Sequence, residues 1–200
     1  MRSSWPRLGA ALAIAVLAAA CRTAPPALPP SAVPWEVRRP QLQARTHFEL
    51  KGRVAVAARG EGFNANLHWT QEGARSQLTL EGPLGVGGAQ VTASGEELSL
   101  ITARGEHVDN EEAHAALESR LGFDPPLSAL RYWVLGVPDP AQPATEALDQ
   151  AQQRLAALTQ EGWRVDYQSY VSAGGGALPS RLTLQRDNVR VRLLVDNWQL

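Results

Sequence analysis

Apolar and polar residues alternate with a period of two along much of the chain. In the first such stretch Leu50, Val54 and Val56 alternate with Lys51 and Arg53. Because successive side chains of a β-strand point to opposite faces, this pattern predicts strands with one apolar and one polar face. The same alternation recurs in residues 63–69, 78–80, 91–93, 98–100, 165–167, 182–184 and 189–195.

Short glycine-containing segments separate several of these predicted strands, at residues 59–62, 71–73, 94–96 and 161–162. Such segments are typical of hairpin turns, so we expect neighbouring strands to be antiparallel. Each strand can cover only one face of a core. The pattern therefore predicts a strongly curved meander sheet or a barrel.

Three segments have helical patterns. Residues 35–48 predict a short amphipathic helix that is interrupted or restarted at Pro40. Residues 110–122 begin with acidic side chains and end in Arg120 and Gly122, as helix ends prefer. Residues 126–135 are apolar on nearly every side, and such a helix must be enclosed. We expect it inside the curved sheet or across its mouth, which gives a mainly β fold with helices.

The first 20 residues have the features of a secretory signal. Arg2 and Arg7 precede a 13-residue apolar stretch at 8–20, which is too short to span a bilayer as a helix. Residues 17–21 resemble the lipobox of bacterial lipoproteins, which implies that Cys21 carries an N-acyl group and an S-diacylglycerol. Arg22 in place of an aspartate favours the outer membrane by the same resemblance. The alternative is a secreted protein with one leftover thiol.

Residues 21–34 form the predicted tether. Residues 22–34 contain five prolines, which forbid a helix and favour an extended spacer. At about 3.1 Å per residue the spacer could hold a folded domain roughly 40 Å from its lipid anchor, although a disordered tail fits the same composition. Residues 35–200 are long enough for a single domain with its own core.

Charge and composition exclude some functions. The formal net charge of −1 becomes about −3 once Arg2 and Arg7 are removed with the leader, so no nucleic-acid partner is expected. The single cysteine excludes an intramolecular disulfide.

The sequence shows no pattern typical of catalysis or metal binding. The four histidines, His47, His68, His107 and His114, are scattered without ligand spacing. The glycines of residues 82–88 lack the lysine and following helix of a phosphate loop. A pair of carboxylates assembled by the fold remains an open alternative. Large aromatic side chains could either fill a core or wall a ligand cavity.

Seven short segments resemble the LolB family of outer-membrane lipoprotein receptors in order and spacing. They are residues 50–56, 67–69, 80–85, 130–138, 160–167, 178–179 and 195–198. The resemblance covers essentially the whole of the mature chain. It implies an incomplete antiparallel β-barrel, with helices covering the opening and an apolar cavity for acyl chains.

The resemblance also implies a role and partners. The chain would be a periplasm-facing, lipid-anchored monomer of the outer membrane. It would accept acylated lipoproteins from the periplasmic carrier LolA and insert them into the inner leaflet among outer-membrane phospholipids. No enzyme activity, nucleic acid or cofactor beyond the acyl groups on Cys21 is expected.

Two groups of site residues follow from it. Leu84, with Pro83 and Gly85, is expected to form a protruding loop that enters the bilayer. The expected cavity lining consists of Val54, Val56, Leu67, Trp69, Leu80, Leu98, Leu100, Leu130, Trp133, Val165, Tyr167, Leu182, Leu184, Val191 and Leu193. A structural lipoprotein that binds a protein partner on the curved sheet would share the tether, the strands and the aromatic content, and a cell-wall enzyme is a third alternative.

Overall fold

The computed structural model describes residues 33–82 and 88–200. Three sequence predictions lie outside the described residues: the leader, Cys21 with nearly all of the tether, and the loop residues Pro83, Leu84 and Gly85.

The described residues form three helices and eleven strands. The helices are α1 Trp35–Gln43, α2 Asn110–Leu121 and α3 Leu127–Trp133. The strands are β1 His47–Ala58, β2 Glu61–Glu72, β3 Arg75–Glu81, β4 Gly88–Ser94, β5 Glu97–Thr102, β6 His107–Asp109, β7 Ala144–Asp149, β8 Arg154–Gln160, β9 Trp163–Ala173, β10 Gly176–Arg186 and β11 Val189–Gln199.

All eleven strands belong to one antiparallel sheet with the order β6-β5-β4-β3-β2-β1-β11-β10-β9-β8-β7. The first and last strands of this order do not pair with each other, so the sheet stays open. The helices α2 and α3 pack against its inner face and share one apolar core with it. The predicted fold class, an incomplete antiparallel barrel with helices over its opening, is confirmed.

The alternation in β1 determines which side chains face the core. Leu50 is fully buried and Val56 is buried, whereas Lys51 and Arg53 on the opposite face are exposed. Strand β1 therefore has one apolar and one polar face. It is also the central strand of the sheet, paired with β2 on one side and β11 on the other.

Gly52 is needed where β1 approaches β11. The register between these strands shifts between Lys51 and Gly52, and a Cβ atom on Gly52 would collide with the carbonyl oxygen of Leu194. Only glycine allows this approach, so Gly52 maintains the bulge in the centre of the sheet.

The helices match their predictions in part. α2 ends at Leu121, and Gly122 follows in the left-handed conformation that the sequence predicts for its C-cap. α1 continues through Pro40 and ends at Gln43, so the predicted interruption and the predicted end near Phe48 were wrong. Phe48 already belongs to β1, where its buried ring packs against Trp69 and Trp198.

Strands β6, β7 and β8 were not predicted. In β8 the adjacent residues Ala157 and Leu158 are both buried, so the strand has no strict alternation. β6 has only three residues, and β7 is an edge strand without a buried residue. Among the described residues, no helix is both long and apolar enough to cross a membrane.

Candidate functional site

An apolar cavity lies between the inner face of the sheet and the α2–α3 region. Its volume is about 110 Å³, and every residue that lines it is apolar. The sheet contributes Val54, Val56, Phe63, Leu67, Trp69, Leu78, Leu80, Val91, Trp163, Leu184, Val191 and Leu193. The other side, which we call the cover, contributes Leu117, Leu121, Phe123, Pro125, Pro126, Leu127, Leu130 and Val134.

Nine of the fifteen residues expected to line an acyl cavity lie on this apolar cavity, and their contact with acyl chains stays a prediction. They are Val54, Val56, Leu67, Trp69, Leu80, Leu130, Leu184, Val191 and Leu193. The other six are Leu98, Leu100, Trp133, Val165, Tyr167 and Leu182, and they are buried in the core beside the cavity. Leu98 and Leu100 lie on β5, which α2 covers, so inward orientation alone does not give access to the cavity.

Sequence reasoning missed several lining residues. Phe63, Leu78 and Val91 follow the strand alternation and could have been included on that basis. Phe123 and the two prolines that follow it lie in the connection between α2 and α3, where no periodicity marks them as facing a cavity. Their position depends on how the cover folds onto the sheet.

Hydrogen bonds from Gln160 hold the C-terminal end of the cover. This side chain is 2% exposed. Its Oε1 accepts hydrogen bonds from Trp133 Nε1 at 2.8 Å and from the Asp139 amide at 2.9 Å. Its Nε2 donates to the carbonyl oxygens of Asp139 and Gln142, both at 2.8 Å. All four bonds join β8 to the last residue of α3 and the segment that follows it.

Tyr167 adds a second buried contact at this end. Its hydroxyl donates to the carbonyl oxygen of Trp133 at 3.0 Å. Burial raises the pKa of the Tyr167 phenol well above its ordinary value, and the nearby Tyr170 and Glu146 raise it further. The phenol therefore remains neutral and can donate this bond across the physiological pH range.

The opposite end of the cover, where α2 leads into α3, is held differently. The polar contacts there are surface ion pairs between half-exposed side chains: His114 to Asp124 at 3.1 Å and Arg59 to Glu118 at 3.5 Å. Phe123 packs its ring against Trp163, with 5.5 Å between ring centroids. Apolar contact is therefore the main force on the cover at this end.

The chemistry available in the cavity is that of an apolar binding site. Across residues 33–82 and 88–200, no group of three or more histidine, cysteine, aspartate or glutamate side chains could hold a metal ion. His68 and His114 lie on the surface, each beside a carboxylate. The lining can bind hydrocarbon by burying it.

Comparisons with known proteins agree with this geometry. Residues 46–198 match the family described as outer membrane lipoprotein LolB. The outer-membrane lipoprotein LolB of Nitrosococcus oceani is 33% identical over 199 residues, covering 98% of each chain. That of Pseudomonas aeruginosa is 34% identical over 165 residues, covering 82% of this chain and 80% of the relative.

Solved structures share the fold at low sequence identity. A LolA superfamily protein from Nitrosomonas europaea superimposes with a TM-score of 0.54 at 11% identity, covering 84% of this chain and 94% of its own. A domain described as a putative outer membrane lipoprotein-sorting protein from Vibrio parahaemolyticus gives a TM-score of 0.51 at 8% identity, with 82% and 90% covered. These structures support the architecture only. The sequence matches carry the family assignment: the chain belongs to the LolB family and is an outer-membrane lipoprotein.

Proposed function

We propose that this protein accepts acylated lipoproteins from the periplasmic carrier LolA and inserts them into the inner leaflet of the outer membrane. The observation that carries the proposal is the apolar cavity beneath the cover, whose lining offers an acyl chain only hydrophobic surface. Membership of the LolB family supports the same role. The protein acts as a binding and transfer factor and not as an enzyme.

The transfer needs no energy source of its own. Each buried CH₂ group is worth about 0.8 kcal/mol, so an acyl chain moves spontaneously to whichever apolar environment holds it better. The direction is set by the difference in affinity between carrier, cavity and bilayer. A cavity that must enlarge to hold its ligand binds it less tightly, which favours onward release.

The cavity must enlarge before it can load a client. An apolar cavity of about 150 Å³ accepts a molecule the size of benzene. The cavity here is about 110 Å³, and the acyl chain of a lipoprotein is several times larger than benzene. Loading therefore requires the cover to move away from the sheet.

Two further parts of the proposal concern residues 1–32 and 83–87. Cys21 is the acylation site that anchors the chain, and the tether to residue 34 lets the domain move over the membrane surface. Leu84, between Pro83 and Gly85, enters the bilayer and promotes client release. The composition of both segments and the family membership support these roles.

Transfer of a client tests the function directly. A leaderless Cys21→Ala form is mixed with a complex of LolA and an acylated lipoprotein, and the client is followed by co-purification. We expect the acylated lipoprotein to leave LolA and co-purify with this protein. Val54→Phe, which fills the cavity, should reduce the transfer at least tenfold, whereas Ala57→Phe on the exposed face of the same strand should not. A folded protein that takes no client from a cognate carrier would favour a structural lipoprotein that binds a protein partner.

Insertion is tested separately with Leu84→Glu. A charged side chain is costly to place in a bilayer, so this variant should take up clients normally but fail to deliver them into vesicles. Normal delivery by this variant would remove Leu84 from the mechanism and leave the receptor role intact.

A further inference from the structure

The outer face of the sheet carries a groove on the side opposite the apolar cavity, and Val54 and Leu193 contribute to the lining of both. It has a volume of about 730 Å³ and runs across β2, β1, β11, β10 and β9. We call it the outer groove. Its polar side chains include Arg53, Arg181, Arg192, Asn64, Asn66 and Gln168. All six are exposed and face away from the core.

Three arginines occupy neighbouring positions of the sheet in the outer groove. Arg53 on β1 and Arg181 on β10 both stand opposite Leu194 of β11, and Arg192 is two residues before Leu194 on the same strand face. Arg192 is therefore a diagonal neighbour of both Arg53 and Arg181, at about 7–8 Å between Cα atoms, whereas Arg53 and Arg181 lie on opposite sides of β11. Their positive charges make this part of the outer face locally basic.

Only one of the three cations is neutralised within the described part of the chain. Arg53 pairs with Asp196 at 2.9 Å. Arg181 and Arg192 have no ion pair among the described residues. The chain as a whole has a net charge of −1, so the positive groove is a local feature of the outer face.

The side chains around the two unpaired arginines suit a phosphate group. Guanidinium groups bind phosphate oxygens through paired N–H donors, and the amides of Asn64 and Asn66 add neutral donors at the β2 side. Gln168 already donates from Nε2 to Thr183 Oγ1 at 3.1 Å, which holds its amide at the β9 side. The groove, at about 730 Å³, is wide enough for a phosphate headgroup.

The location of the protein indicates which phosphate is available to the outer groove. The chain is an outer-membrane lipoprotein, so a phospholipid surface lies within reach of the domain. We propose that the outer groove binds the phosphate headgroups of anionic phospholipids and thereby holds this face of the sheet against the membrane. This contact goes beyond the proposed function, since it needs neither carrier nor client.

The test uses the mature protein, purified from the outer membrane and reconstituted into vesicles. A donor fluorophore is attached at Ala57→Cys, which is exposed on the outer face of β1 and lies outside the groove. Energy transfer to a headgroup-labelled lipid then reports how often this face lies on the membrane. The vesicles contain phosphatidylcholine alone, or phosphatidylcholine and phosphatidylglycerol in equal amounts.

We expect energy transfer to be higher on the phosphatidylglycerol vesicles. Arg181→Gln with Arg192→Gln should lower the ratio of membrane-facing to other orientations roughly 30-fold there, from the usual contribution of two basic residues near an anionic surface. The matched control is Arg75→Gln with Arg104→Gln, which removes two exposed arginines that have no ion pair among the described residues. The control should leave the ratio within about twofold of the unmodified protein.

Three outcomes would overturn the proposal. They are equal energy transfer on both kinds of vesicle, an equal loss in the control, or a loss of client uptake from LolA in the Arg181/Arg192 variant with no effect of phosphatidylglycerol. The last outcome would assign the groove to an acidic protein surface. Because the fluorescence measurement contains no client, its failure would leave the proposed transfer function untouched.

Discussion

The two ends of the cover are held to the sheet by different forces. At the C-terminal end of α3, Gln160 and Tyr167 make four buried hydrogen bonds and one partly buried hydrogen bond to residues 133–142. At the α2–α3 connection, Phe123 packs against Trp163, and the ion pairs lie at the surface. We call these the anchored end and the loose end.

The difference matters because of what an acyl chain can replace. Hydrocarbon that enters the cavity can restore the apolar contacts that Phe123 loses when the cover moves, but it cannot satisfy a buried donor or carbonyl oxygen. Opening at the anchored end would leave five hydrogen bonds broken, each at a cost of about 1–3 kcal/mol. We therefore infer that the cover opens at the loose end and pivots at the anchored end.

Gln160→Leu gives the largest expected effect, since it breaks the anchored end. It leaves two donors, Trp133 Nε1 and the Asp139 amide, together with two carbonyl oxygens, without their partner. We expect a loss of about 4 kcal/mol in the free energy of unfolding, measured by urea denaturation. Gln199→Leu, at an exposed position of β11, is the control and should stay within about 0.5 kcal/mol. A similar small change for both variants would show that the anchored end does not hold the cover.

Tyr167→Phe removes a single hydrogen bond at the anchored end, and we expect an intermediate effect on the free energy of unfolding. Loss of the hydroxyl that donates to Trp133 should cost about 1 kcal/mol at neutral pH. Burial raises the pKa of Tyr167 in the folded state, so its contribution is complete below about pH 10, the ordinary pKa of an unfolded tyrosine. Between about pH 10 and the raised folded-state pKa, the unfolded chain releases the Tyr167 proton while the folded protein retains it. The contribution of Tyr167 to stability is therefore lost as the pH rises through this range.

The pH dependence of the free energy of unfolding at alkaline pH tests this loss of stability. Above about pH 10 the free energy of unfolding should fall less steeply in Tyr167→Phe than in the unmodified protein, while a slope from Tyr170 remains because burial raises its pKa as well. Tyr132→Phe is the matched control, since the Tyr132 hydroxyl makes no hydrogen bond among the described residues. An unchanged slope in Tyr167→Phe would contradict the burial of its hydroxyl.

Asp124→Ala gives the smallest effect, since it removes the exposed ion pair with His114 at the loose end. We expect a change of less than about 0.5 kcal/mol in the free energy of unfolding. If this pair contributes to closing the cover, a fluorescent fatty acyl probe should load up to about twofold faster. Asp166→Ala breaks a comparable pair with Arg164 away from the cover and should leave the loading rate unchanged. If Asp124→Ala loaded the acyl probe more slowly than the unmodified protein, the cover would not open at the loose end.

Local patterns were sufficient to predict much of the sheet. The alternation in β1, β2 and β11 assigned side chains such as Leu50, Trp69 and Leu193 to the core, where the structure buries them. The period of two is a property of each strand on its own, so neighbouring elements are not needed to detect it. Strand β8 was not predicted, because Ala157 and Leu158 are both buried and the alternation of apolar and polar residues is therefore lost.

The cavity could be predicted only in part. Val54 and Val165 both occupy inward positions of the sheet, but only Val54 reaches the cavity. Whether an inward side chain meets empty space or another side chain depends on what packs above it. That packing comes from the cover, whose loose end includes Phe123 in a segment without periodicity.

The sequence by itself determined the amphipathic strands and the helix that ends before Gly122, because these depend on interactions within a few residues. Only the tertiary structure decided where the cavity lies, which end of the cover is anchored and that Arg53, Arg181 and Arg192 share one groove. Gln160 and Trp133 are 27 residues apart in the chain, and Arg53 and Arg192 come from opposite ends of the domain. Such contacts depend on strand register and packing between distant segments, which no local pattern encodes.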